Sequence, residues 1–532
     1  MKNFLIYLFV GSMCLSACSN FLDSEPIWPS DENFYRTRQD AEMALVGCYD
    51  GLQLIYNAGV GTPLVTEILS DNAFGGTGNG DNYEYQMLDE FDLQRSPGHL
   101  NTFDENWKAY YKAIYRVNTL LTKMDQIDWG TEEDAELARL SIEAQARFIR
   151  AYCYFDMVRL WERVPLLLEP QNGNIPQSSY QEIYTAVVED LMFTAANGME
   201  EISAGRANKW VAKSFLARVY LYYTGYYGED ILNGKVSQQE VLNGLEEVIS
   251  SGNYNLLADF KDLWIVAATE VSGEGDNAKL ETTYAGKDNE ETIFAIKYNV
   301  TSDWEGNTDG NHWLVMLGMR GQNFSPYGSG WGAMTVNPQL YNLYSNEDSR
   351  KSASIIAFKE EGLEYNTDDQ REYTGYANKK YLPMCNPDGS DVINDHGGSD
   401  FMIHQFQDYV AMRYSDVLLM AAELGSTNAQ TYMDQVRGRA GVAAVGVSPE
   451  SIQRERRLEF AFEGIRYWDL LRQGVETAAT AIDQELTVIS GGNEETKKIK
   501  AENILSKRGL QMIPQNQITR SAGVMTQNPG WN

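Results

Sequence analysis

EAQARFIRAYCYFDMVRLWERVPL, residues Glu143 to Leu166, is the stretch that settles the fold class. Together with the residues just before it, it sets Leu137, Leu140, Ala144, Phe148, Ala151, Phe155 and Val158 three and four apart. That spacing is one apolar stripe on a helix predicted over about 132 to 162. The same period recurs outward in both directions. Toward the N-terminus, Thr37 and Asp40 mark a start, followed by Ala41, Ala44, Leu45, Cys48, Tyr49 and Leu52, and a second stripe carries Trp107, Tyr111, Ile114, Val117 and Leu121. Toward the C-terminus, Ser179 with Glu182 and Ser237 with Glu240 are capping boxes. Between them Asn208 to Tyr223 carries Ala212, Phe215, Leu216, Val219 and Tyr220.

Paired helices that bury their apolar faces only against neighbours are the logic of tetratricopeptide repeats, and the small-x3-aromatic spacing of those repeats occurs twice, at Ala144 to Phe148 and Ala151 to Phe155. Helices resume at about Arg413, and Ser448-Pro449 reads as a cap followed by proline at the first helical position. After it, Arg454, Arg456, Arg457, Glu459 and Glu463 interleave with Phe460, Phe462 and Trp468, which predicts buried arginine–carboxylate pairs that fix the fold rather than perform catalysis. The helical period is lost over about 267–342, 71–102 and 359–401, where glycine, asparagine and aspartate are dense and Thr292 to Tyr298 alone reads as a strand. So long an irregular stretch is expected to carry function. The expected fold is mostly α: a tetratricopeptide-like helical hairpin scaffold over about 37–264 and 413–532, with a large irregular, loop-rich ligand region over about 267–401 and a few short strands.

Composition narrows the function. Lys+Arg 43 against Asp+Glu 75 gives a net charge of −32, which argues against nucleic acid. The four histidines, His99, His312, His396 and His404, form no HExxH pair. Glu305, Asn307, Asp309 and Gly310 imitate the start of a calcium loop, but Met316 stands where the closing carboxylate belongs, so no metal and no cofactor is expected. Neither GxSxG nor a P-loop occurs, and a carboxylate pair for glycoside hydrolysis can be drawn from 75 acids without meaning, so no enzyme activity and no catalytic residue is expected.

Aromatic residues make up 12% of the chain, and three of its eleven tryptophans fall within 301–332. Flat apolar faces beside amides and carboxylates are the chemistry of sugar recognition. The candidate ligand residues are Trp304, Trp313, Arg320, Asn323, Tyr327 and Trp331 from this stretch, and Asn72, Asp81, Tyr83 and Tyr85 from the irregular segment before it. The overall charge repels long polyanionic glycans, while a local arginine such as Arg320 offers a place for one sugar carboxylate.

At the N-terminus, Lys2, the apolar run Phe4 to Val10 and the tetrad Leu15-Ser16-Ala17-Cys18 read as a secretory signal with a lipobox, too short to span a bilayer. Cleavage would remove 1–17 and leave a single domain over 18–532, with Cys18 the lipidated residue. Of the other cysteines, Cys48 and Cys153 are expected to be small buried thiols.

Five ordered segments carry a resemblance to the SusD/RagB family of Bacteroidetes outer-membrane nutrient-binding lipoproteins. They are the opening stretch Glu143 to Leu166, MRYSDVLLMAAEL (Met412 to Leu424), VRGRAGV (Val436 to Val442), ERRLEFAFEGIRYWDLLRQG (Glu455 to Gly474) and MIPQNQITRSAGVMTQNPGW (Met512 to Trp531), and the start CSNFLD (Cys18 to Asp23) is similar too. The resemblance implies a lipid-anchored protein on the outer face of the outer membrane that binds an oligosaccharide, or less often a peptide or other nutrient, and passes it to a SusC-like TonB-dependent transporter without chemistry. The matching segments belong to the scaffold, so the loops that would name the ligand are not covered by it. Two other classes stand beside this reading: a secreted glycoside hydrolase, and a helical-repeat scaffold that binds only proteins.

Overall fold

A computed structural model describes residues 34–531, so the expected signal segment 1–17 and the expected lipidation residue Cys18 lie outside the described residues. Four of the first six helices named here begin on a side-chain cap. Helix α1 (Arg38–Asn57) opens on Thr37, whose hydroxyl accepts from the Asp40 amide at 3.2 Å while the Asp40 carboxylate accepts from the Thr37 amide at 2.8 Å. Helices α2 (Asp104–Lys123) and α3 (Ala135–Trp161) follow; α4 (Tyr180–Asn197) and α6 (Gln238–Ser250) start at the Ser179/Glu182 and Ser237/Glu240 boxes, and α5 (Lys209–Tyr227) at Asn208, which caps two amides. Each helix packs on the next in sequence, the short-range pairing of stacked helical hairpins.

The core between them is aromatic. Phe148 of α3 meets Phe215 of α5 and Phe294 of the loop region edge-on, at 5.4 and 5.0 Å between centroids. The stripe starts one residue off the expected position: Leu137 is largely exposed, and Ala138, Ser141 and Ile142 face inward instead. Helices α7 (Tyr414–Glu423), α8 (Ala429–Arg439) and α9 (Pro449–Glu459) continue the array, α7 packing on α6, α8 and α9.

The loop region is stitched to this scaffold by short ladders. Strand β1 (Ala73–Gly76) pairs antiparallel with β3 (Ala333–Val336), and β2 (Thr292–Ile296) with β4 (Tyr409–Arg413), the strand that runs directly into α7. The C-terminal part of the helical scaffold also carries strands. Strands β5 (Gln484–Ser490) and β6 (Asn493–Ile499) form a regular hairpin turning at Gly491-Gly492, both glycines at positive φ. A two-residue turn with positive φ at both positions is what Gly-Gly supplies between strands.

A buried ionic network joins loops to scaffold. Arg413 donates to Glu291 at 2.5 Å, Glu459 at 3.0 Å and Glu463 at 2.8 Å; Arg350 donates to Glu455 at 2.5 Å and Glu459 at 3.1 Å; Lys380 donates to Glu463 at 2.7 Å. All of these side chains are buried, as the charge-rich helix predicts. Each carboxylate left without its partners would carry a desolvation penalty of several kcal/mol, so the network specifies one arrangement.

Candidate functional site

The structure divides the ten loop residues singled out above. Four are inside. Asn72 is fully buried, donating to Glu67 at 3.0 Å and accepting from Arg457 at 3.1 Å. Tyr85 is buried beneath its loop. Trp313 packs edge-on against Tyr381 and Tyr409, and the Tyr327 hydroxyl donates to Glu361 at 2.8 Å with its ring closed off. The expectation that these four face a ligand is corrected: segments without helical period still need a core, and these side chains provide it.

Asp81, Tyr83, Arg320 and Trp331 are brought together on three converging loops. The loop after β1 turns at Gly78, whose amide donates to Asp81 at 2.8 Å. Arg320 lies flat over that glycine; a Cβ at position 78 would fall 2.1 Å from its Nη2, so the approach requires the bare backbone. From there Arg320 reaches Asp81 at 3.1 Å and Asp369 at 2.8 Å, tying residues 78–81, 320 and 369 into one unit. Arg371 donates to the carbonyls of Asn79, Asp81 and Asn82 at 2.7 to 2.8 Å, and its guanidinium rests 4.0 Å from the centre of the Tyr83 ring, an exposed tyrosine with the Arg95 guanidinium also near it at 5.6 Å. Trp331 is half-buried beside this unit: its neighbour Gly332 sits so close that a Cβ there would meet Gln370 at 2.3 Å and the Arg320 Cβ at 3.0 Å. Asn323 is exposed on the same segment and shapes it, accepting from the Ser329 amide at 2.6 Å and donating to the Gly389 carbonyl at 3.3 Å.

Trp304 stands on a separate loop, 70% exposed, more than any other large hydrophobic side chain among the described residues. Its indole N–H donates to Asp400 at 2.8 Å. The backbone amide of Asp400 in turn donates to His404 Nδ1 at 3.0 Å, so the tryptophan is held in place by a braced acceptor. Two of the oxygens that imitate a calcium loop are spent on the turn itself: Asn307 Oδ1 accepts from the Asp309 amide at 2.9 Å, and the Asp309 carboxylate accepts from the Thr301 hydroxyl at 3.0 Å.

Sequence reasoning missed Asp369, Arg371 and the β5–β6 hairpin. The hairpin tip props the site: Gly491 donates to the Gln370 carbonyl at 2.9 Å and Gly492 to Thr367 at 3.1 Å. Further down β6, the Lys497 ammonium is buried among Asp89, Glu90 and Glu372 at 2.7 to 2.9 Å, and Glu372 also accepts from the Gly76 amide at the head of the Tyr83 loop. The Gly-Gly between two runs ending in Val488-Ile489 and Lys497-Lys498-Ile499 was the available hairpin signal.

The arrangement suits recognition of a polyhydroxylated ring: exposed aromatic faces edged by carboxylates and amides. Neither Asp369 nor Asp400 is tuned as a general acid. The Arg320 hydrogen bond holds Asp369 below the usual carboxylate range, and Asp400, which burial would push up, is held down by the Trp304 hydrogen bond. A hydrolase acid needs the opposite shift.

Comparison with known proteins gives consistent matches. The family model described as "SusD family" matches residues 365–531, and one described as "Starch-binding associating with outer membrane" matches 23–221. The SusD-like protein P25 of Formosa agariphila is 26% identical, the alignment covering 89% of this chain and 90% of that protein. A solved laminarin binding SusD-like protein is 26% identical, with 93% of this chain and all of that one covered at a TM-score of 0.71. Surface glycan-binding protein A from Bacteroides thetaiotaomicron in complex with laminarihexaose shares the fold at a TM-score of 0.72 and 24% identity, covering 92% of this chain and 99% of that one.

Proposed function

Because the chain belongs to the SusD/RagB family, we propose that it is a surface glycan-binding protein that captures an oligosaccharide and performs no chemistry on it. Trp304 is the observation that carries the reading: a large aromatic face in solvent, fixed by a braced hydrogen bond, is costly to maintain and is what a pyranose ring stacks on. Trp331, Tyr83, Asn323 and Asp81 are proposed to complete the contact surface, and Arg320 to hold the loops that form it. The solved laminarin-binding relatives make a β-glucan the first ligand to test. On the same reading Cys18 is the lipid anchor, residues 18–532 act as one domain at the outer membrane with the site facing outward, and a SusC-like TonB-dependent transporter receives the ligand.

The test is calorimetry with laminarihexaose on Trp304→Ala and Trp331→Ala, with product analysis on the wild type. Loss of a stacking aromatic costs about 1–3 kcal/mol, or roughly 5- to 150-fold in Kd, with thermal stability retained. Unchanged affinity in both variants would refute the platform, and released shorter sugars would show an enzyme.

A further inference from the structure

The cations around the site point to its selectivity. Three guanidiniums approach the Tyr83 loop, and each is already engaged. Arg320 gives its Nε to Asp369 and its terminal nitrogens to Asp81, at 2.8 and 3.1 Å. Arg371 gives both terminal nitrogens to the carbonyls of Asn79, Asp81 and Asn82 and is buried. Arg95 chelates Glu90 at 3.0 Å and reaches Glu495 at 3.3 Å. At Arg320 the acidic partners are the more accessible: Asp369 is 59% and Asp81 27% exposed where Arg320 is 20% exposed. At the second loop, Trp304 is flanked in sequence by Asp303 and Glu305, and its own anchor is Asp400. At the Arg320 clamp and at Trp304 a ligand therefore meets carboxylates before it meets an arginine.

We infer that the site admits uncharged oligosaccharides and rejects uronates and sulfated sugars, the Asp81–Arg320–Asp369 clamp being the element that sets this choice. This rests on the glycan-binding reading above. An anionic sugar would have to displace Asp81 or Asp369 from Arg320 while approaching through their field, and in exchange would form only the pair it broke. A neutral ring needs hydrogen-bond acceptors along its hydroxyls, and the clamped carboxylates offer the oxygen lone pairs that Arg320 leaves free. Arg320 is thus a positioning residue rather than a carboxylate receptor, which removes the local exception that the sequence left open.

The experiment is affinity electrophoresis of the folded chain in gels containing laminarin, xyloglucan or galactomannan on one side and alginate, polygalacturonate or a sulfated galactan on the other, followed by calorimetry at low and high salt. Retardation by at least one neutral member is expected, with acidic polymers bound at least about tenfold more weakly near 20 mM salt and that gap narrowing as salt screens the field. The neutral affinity should not move with salt. Asp81→Asn with Asp369→Asn should raise retention by acidic polymers. Should the double variant fold poorly, Asp369→Asn alone, at the more exposed of the two positions, makes the same comparison. Preferred binding of an acidic polymer, weakening with salt and abolished by Arg320→Met, would overturn the inference and leave glycan binding standing. Retention by no polymer of either kind would instead overturn the glycan reading itself.

Discussion

Lys497→Met removes one buried cation from three carboxylates. The ammonium lies 2.7 Å from Asp89, 2.9 Å from Glu90 and 2.7 Å from Glu372, and Lys497 and Asp89 are wholly out of solvent. Burial holds Asp89 well above the usual carboxylate range, with Lys497 pulling it down and Glu372 pushing it further up. Methionine preserves most of the aliphatic stem, so the loss is electrostatic. Breaking a buried pair by deleting one partner costs about 3–5 kcal/mol. The described residues run from 34 to 531. At about 2 cal/mol/K per residue their unfolding entropy is about 1 kcal/mol/K, so a cooperative transition should fall by about 3–5 °C. The pH dependence is the sharper signature: carboxylates deprived of the lysine relieve the penalty by binding protons, so the deficit should be smaller at pH 5 than at pH 8. Scanning calorimetry of both proteins at both pH values measures this, and amide exchange at Gly75 and Gly76, which donate to Asp89 and Glu372, reports the local loosening. A Tm indistinguishable from wild type at pH 8, or an equal deficit at both pH values, would refute the assignment.

Glu459 and Asp416 are buried, which alone would raise them, but Arg439, Arg413 and Arg350 hold the first, and Arg456 and Arg218 the second, far below their ordinary 4.5 and 3.8. Their stabilisation is present above those values and is lost as pH falls below them toward the native pKa, so Tm should drop steeply below pH 4.5, and a flat profile from pH 6 to 3 would contradict the network. Gly78→Ala drives a Cβ into the Arg320 guanidinium, so a modest stability loss of about 1–3 kcal/mol should accompany a larger loss of glycan affinity; wild-type binding would show the clamp is dispensable. Burial pushes the Cys48 thiol up to about 12 against the pull of Arg116, and Cys385 likewise to about 12. A chain beginning after Cys18 should therefore show no reaction with Ellman's reagent when native and three thiols when denatured; a fast native thiol would contradict the packing.

The scaffold was legible because its information is local. Thr37, Ser179, Ser237 and Ser448 announce their helices within four residues, and each caps where the sequence placed it. The site was half legible because its information is not local. Nothing near Trp313 distinguishes it from Trp304, yet one meets Tyr381 and Tyr409 across the fold while the other meets solvent. Asn72 reads as a loop amide until Arg457, 385 residues on, is laid beside it. The β5–β6 hairpin carried its own turn signal, but the helical period on either side hid it.

The support given by β6 to the Tyr83 loop also sets a schedule. Asp89 and Lys497 are 408 positions apart, so a chain emerging N-terminus first has made the Tyr83 loop long before it has made the residue that fixes it. Until the final hairpin arrives, three carboxylates around that loop have no lysine and stay hydrated. On the proposed reading, binding competence belongs only to the finished chain: a fragment ending before β5 would retain every proposed contact residue and still fail to hold the Tyr83 loop in place.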